Sequence, residues 1–179
     1  MNSNPFHSSP EASSTPCSLH PESLDRPTRA DYENLLACLA DVPRNVATRN
    51  ARGVCLLRLG RYRESLDVYW PMALHPGTVN VRRDLPDEVL LNYASGLLAS
   101  GLPSGCLDIL GQLQDRDARM AVKLRDAIEN WRRSLSFWCR MDWNLNRAEP
   151  TSSIIPVDFE LGVWPPFGIV LPSKRPLAA

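Results

Sequence analysis

Lysine is nearly missing: Lys123 and Lys174 stand against eighteen arginines. Histidine is scarce too, with His7, His20 and His75 alone. The five cysteines, Cys17, Cys38, Cys55, Cys106 and Cys139, are odd in number and none forms a CxxC pair. So few nitrogen and sulfur ligands near one another leave little from which to assemble a metal site. No apolar run reaches the roughly 18 residues that a bilayer-spanning helix needs. A basic n-region followed by an apolar h-region is absent from the N-terminus, and so is any N-x-S/T site with a permitted middle residue. Net charge is missing as well: twenty basic and twenty acidic residues cancel. No global field advertises nucleic acid or membrane. These absences predict a soluble, cytoplasmic protein without cofactor or metal, and a reducing compartment in which the cysteines serve as small hydrophobes.

What is present is helical pattern. The chain of 179 residues is long enough to bury a core. Residues 1–27 hold five prolines with Ser, Asn and His, and little that is apolar. Such a leader cannot offset its ordering entropy and is expected to be disordered. From residue 28 apolar residues recur at helical spacing. Thr28 caps a first helix to Ala40 whose stripe is Tyr32, Leu35, Leu36 and Leu39. A second helix runs from Arg44 to Leu59 and stops at Gly60, a residue suited to the left-handed position after a helix. A third starts near Arg61, with Pro71 predicting a kink or an end at Trp70. Pro86-Asp87-Glu88 opens a fourth, ended by Gly101, and a fifth spans Pro103 to Gln114. A sixth, the longest, is expected from Asp115 to Trp143, with Met120, Leu124, Ile128, Trp131, Leu135 and Trp138 on one face. Arg125/Glu129 and Glu129/Arg133 would pair across its turns.

At Pro150 the pattern changes. Six prolines fall between residues 150 and 176, and Ile155, Val157, Phe159, Leu161 and Val163 alternate with Pro156, Asp158, Glu160 and Gly162. Period two predicts an extended, strand-like segment, with Gly168 to Leu171 returning beside it. The organisation is thus a leader (1–27), a helical domain (28–149) and a Pro-rich extended tail (150–179) that packs on the helices.

Two stretches share a spacing. Arg49-x2-Arg52-Gly53-x2-Leu56, Gly60, Tyr62 and Ser65-x3-Tyr69 is followed by Pro76. Leu90-x2-Tyr93-Ala94-x2-Leu97, Gly101 and Cys106-x3-Leu110 repeats it more loosely. Small residues at Gly53, Ser65, Ala94 and Cys106 let helix backbones approach while the large ones fill grooves. This resembles the tetratricopeptide repeat, whose pattern is W-x2-L-G-x2-Y, A-x3-F, P. Asp31, Leu35, Cys38 and Pro43 sit where a preceding partial repeat would place them. The resemblance covers about residues 28 to 143 and departs from the family where Arg49 and Arg52 replace large apolar residues. It implies an all-α fold of stacked antiparallel helical hairpins, an α-solenoid of about two and a half repeats.

Such a scaffold lines a concave groove with the first helix of each pair. Carried onto this chain, the groove positions are Asn50, Val54, Leu57 and Arg58, then Leu91, Asn92, Ser95 and Ala99. Asn50 and Asn92 would bond a peptide backbone and Arg58 a carboxylate. The two-carboxylate clamp of the chaperone-binding subclass is not matched, since only Asn92 fits it. The leading expectation is a protein-interaction scaffold for an extended peptide or partner helix. A second is a structural or self-associating module whose groove is filled by its own tail, an arrangement that allows a homo-oligomer joined through that tail. A third is nucleic-acid binding through Arg44, Arg49, Arg52, Arg58, Arg61 and Arg63, which share a stretch without acids. No nucleophile with a base beside it emerges, so no enzyme is expected.

Overall fold

The computed structural model describes residues 27–78, 80–82, 84–150 and 155–164. Among them are seven helices: α1 (Arg29–Cys38), α2 (Val46–Arg58), α3 (Tyr62–Ala73), α4 (Asp87–Ala99), α5 (Pro103–Leu110), α6 (Arg119–Ser134) and α7 (Phe137–Asn146). The all-α class holds. The proposed leader, and the returning strand at Gly168–Leu171, lie outside the described residues.

Local chemistry sets the helix ends. At α1, Thr28 and Asp31 form a capping box: the Asp31 amide donates to Thr28 Oγ1 at 3.3 Å and the Thr28 amide to Asp31 Oδ2 at 2.7 Å. Asn45 caps α2 by accepting from the Thr48 amide at 2.8 Å. The ends of α2 and α4 are built alike. Gly60 (φ +74°) and Gly101 (φ +80°) take the left-handed position. Their amides donate to Leu57 and Leu98, and the next amides, of Arg61 and Leu102, reach back to Leu56 and Leu97. This double closure needs a residue tolerant of positive φ, and glycine supplies it.

Each closure turns the chain into an antiparallel partner helix. In the α2–α3 pair, Ser65 Oγ donates to the Gly53 carbonyl at 3.1 Å and Tyr69 Oη to the Asn50 carbonyl at 3.0 Å. The second pair, α4–α5, buries Ala94 and Cys106 completely. Beyond neighbours in sequence, α2 touches α4, and α4 touches α6. Helix α4 is therefore central: every residue from Val89 to Leu98 is buried, which fits a helix apolar nearly all round.

Five expectations need correction. The long sixth helix is two, broken at Leu135, whose extended backbone (φ −65°, ψ 147°) precedes Ser136, the cap of α7. Trp138 is consequently 72 % exposed, and Trp143 takes its place beside Trp131, ring centroids 5.1 Å apart. Arg125 does not pair with Glu129; it donates to the carbonyls of Arg116 and Leu110, while Arg132 and Arg133 hold Glu129. Helix α3 continues through Pro71 to Ala73. Residues 155–164 form no strand; among the described residues the sole β feature is an isolated bridge between Leu74 and Val81. The period-two pattern nevertheless operates: Ile155 and Leu161 are buried and Val157 and Phe159 half-buried, while Pro156, Asp158 and Glu160 face water. Alternation demands an extended backbone, not a paired one. Among the cysteines, Cys55 and Cys106 are buried thiols as expected, whereas Cys38 is disulfide-bonded.

Candidate site between α2, α4 and residues 160 to 163

Helix α2 carries Asn50, Val54, Leu57 and Arg58 at intervals of four, three and one, so they share a side with the α4 residues they approach. Asn50 and Asn92 meet: Asn92 Nδ2 donates to Asn50 Oδ1 at 2.9 Å. Tyr69 Oη lies 3.0 Å from that same Oδ1 and from the Asn50 carbonyl, and has one proton to give. Burial pushes the Tyr69 hydroxyl well above the ordinary tyrosine range, so it stays a donor. Three polar side chains thus close a network inside an apolar wall, in a setting where an unpaired group is costly.

The network has one more participant, 71 residues further along. Asn92 Nδ2 donates to the Val163 carbonyl at 2.8 Å, and the Val163 amide donates to Asn92 Oδ1 at 2.5 Å. One side-chain amide thereby reads both backbone groups of one extended residue, as a neighbouring strand would. Next to it, Arg58 Nη2 donates to the Gly162 carbonyl at 2.9 Å. Its Nη1 forms an ion pair with Glu160. The Arg58 side chain is 15 % exposed and Glu160 75 %, so solvent screens this pair and it orients more than it stabilises. Burial lowers the Arg58 pKa from its ordinary value, with Tyr32 opposing. Arg58 Nε has no hydrogen-bond acceptor among the described residues.

Gly162 fits chiefly because of its backbone. A Cβ there would lie 3.2 Å from Leu57 Cδ1, 3.4 Å from Val54 Cγ1 and 3.6 Å from Asn92 Oδ1, and its φ of +88° is strained for any L-residue. Leu161 and Ile155 join the main core, and Trp164 packs on the smaller cluster of Tyr32, Leu35, Leu39, Ala51, Cys55 and Leu59. Lys123 Nζ sits 5.3 Å from the Phe159 ring centroid.

Five of the nominated residues, Asn50, Val54, Leu57, Arg58 and Asn92, are therefore brought together around residues 160–163 or the side chains that hold them. All but Arg58 are buried. Leu91 and Ser95 are buried as well, but Ser95 Oγ bonds the Leu91 carbonyl of its own helix at 2.8 Å. Ala99 is half-buried at the end of α4. Tyr69 was missed as a polar partner; its hydroxyl at helix spacing from Ser65 carried no cue beyond an aromatic core position. The six arginines of residues 44–63 divide: Arg44, Arg49 and Arg52 line a cavity of about 380 Å³ with Glu64 and Asp67, Arg58 faces Gly162, Arg61 pairs with Glu64, and Arg63 is exposed.

Burial pushes the Cys55 and Cys106 thiols up to about 12, which keeps both protonated at neutral pH. Among the described residues no cluster of His, Cys, Asp and Glu is arranged to hold a metal, and no helix is long and apolar enough to cross a membrane. The chain matches no protein-family model, and comparison with curated proteins and with solved structures finds no match.

Proposed function

We propose that this chain is an interaction module of stacked helical hairpins, similar to tetratricopeptide repeats, whose groove receives an extended polypeptide segment. In the isolated chain the segment received is its own residues 155–164. The observation that carries this is the two-way bond between the Asn92 amide and the backbone of Val163. A side chain that reads backbone tolerates many sequences, and it suits an extended occupant rather than a helical one. The contacts of α2 with α4 and of α4 with α6 support a layer of first helices, as a stack requires.

Energetics argue that this docking is shallow. Ordering residues 155–164 costs roughly 1–2 kcal/mol each. Against that, burial of Ile155 and Leu161 returns about 1.5–3 kcal/mol apiece, and each polar contact about 1 kcal/mol. The half-buried Val157, Phe159, Val163 and Trp164 must supply the remainder, which leaves the docked state a narrow margin.

Hydrogen exchange tests the proposal. In the wild type the amides of residues 160–164 will exchange more slowly than an unstructured chain. Arg58→Ala removes the donor to Gly162 and the partner of Glu160, and will speed exchange there about tenfold while α3 and α5 stay unchanged. Random-coil exchange of residues 160–164 in the wild type would refute self-occupancy.

A further inference from the structure

The segment seated between α2 and α4 is an imperfect occupant, and its imperfections define a better one. Arg58 is mostly buried, and while Nη2 donates to Gly162 and Nη1 pairs with Glu160, its Nε has no hydrogen-bond acceptor among the described residues. Glu160 approaches from the solvent side and remains mostly exposed. A carboxylate that reached further in would satisfy a donor the chain's own segment leaves unmet, and buried unmet donors are costly. The other two requirements are strict. Between the Arg58 and Asn92 contacts the occupant needs glycine, because the backbone there takes φ +88° and Leu57 leaves little room for a Cβ. One residue later it must present an amide and a carbonyl to Asn92.

We infer that residues 155–164 are a displaceable internal occupant of this groove. The partner that displaces them is a protein carrying an extended segment of the pattern acidic residue, apolar residue, glycine, any residue. This rests on the groove reading above and adds the partner's chemistry and the competition. A trans segment sees its affinity reduced by the fraction of grooves that stand open, so weakening the internal segment strengthens binding in trans. The pattern also gives each position a reason. The acid answers Arg58, the apolar residue takes the buried place of Leu161, the glycine passes the Val54–Leu57 wall, and the last residue is read through its backbone.

The test uses the full-length chain and a fluorescent ten-residue peptide with the sequence of residues 155–164 as probe. Gly162→Val in the protein disables the internal segment and leaves the groove untouched. The probe is expected to bind this variant at least about tenfold more tightly than wild type. A probe carrying the same Gly→Val change will not bind. Adding Arg58→Glu to the protein will abolish binding of the original probe and restore it for a probe whose acid is replaced by arginine. Amide exchange of residues 160–164 is followed in parallel. If exchange shows the segment released by Gly162→Val but the probe binds no better than to wild type, the inference fails while self-occupancy stands. If residues 160–164 stay protected in that variant, the glycine requirement is wrong and the inference fails with it. If they are unprotected even in wild type, the underlying groove reading fails. Should Gly162→Val not fold, excess probe added to wild type must speed exchange of the chain's own residues 160–164; no acceleration overturns displacement.

Discussion

Gly53→Ala will destabilise the protein by about 3 kcal/mol, although alanine is the better helix former. On propensity alone the exchange inside α2 would gain up to about 1 kcal/mol. The added methyl, however, would lie 2.3 Å from Tyr69 Cζ, 2.4 Å from Cε2 and 2.5 Å from Oη. Those atoms are not the loose end of a flexible chain. Tyr69 is fully buried and its hydroxyl is tied to Asn50, so the ring cannot swing aside without breaking a bond and moving α3. Overpacking of this kind costs about 1–3 kcal/mol and more where the neighbour is rigid, so sterics outweigh propensity. Chemical denaturation measures it. The same substitution in a Tyr69→Leu background should cost far less, since the pair couples directly. A neutral or stabilising Gly53→Ala would mean that α2 and α3 do not cross closely there.

The second large effect falls on Asn92. Asn92→Leu keeps the branching and suits a helix buried on all sides, yet it is bulkier than the amide and removes the group that bonds Asn50 Oδ1 and both backbone atoms of Val163. Asn50 Oδ1 retains Tyr69. The Val163 amide and carbonyl retain nothing on that side, and each buried unmet group costs about 1–3 kcal/mol. That sum matches or exceeds the modest docking free energy, so residues 155–164 will leave instead of paying it. The expected result is cleavage by chymotrypsin after Phe159 and Leu161 at least about tenfold faster than in wild type, with a stability loss of about 2–3 kcal/mol. Ser95→Ala is the control. Its hydroxyl bonds only its own helix, and the change should leave cleavage within twofold of wild type. Equal cleavage of Asn92→Leu and wild type would show that Asn92 does not hold the segment.

Much of this was legible where the physics is local. Gly60 and Gly101 announced the ends of α2 and α4 because only glycine enters the left-handed position cheaply. Thr28 with Asp31 announced the start of α1. The small residues at 53 and 65 announced a close crossing, and the alternation from Ile155 to Val163 announced an extended segment with one buried face. Non-local features were harder. The break at Leu135 was hidden because apolar residues on both sides fit one helical period, although Ser136 stood ready as a cap. The early end allowed for at Pro71 does not occur, since the helix carries on past it for two residues. Arg58 was named as a carboxylate holder, but nothing in its neighbourhood indicates a carbonyl 104 residues away. The pairing of Asn50 with Asn92, and of both with Tyr69, likewise depends on how α2, α3 and α4 meet, which no single stretch encodes.

The account stands on residues 160–163 lying against α2 and α4 of the same chain. Through-space NMR contacts in dilute solution examine this without any substitution. The prediction is cross-peaks from the Gly162 α-protons to methyl groups of Leu57 and Val54, unchanged in intensity per molecule on tenfold dilution. Absence of those cross-peaks, together with random-coil shifts for residues 155–164, would contradict it.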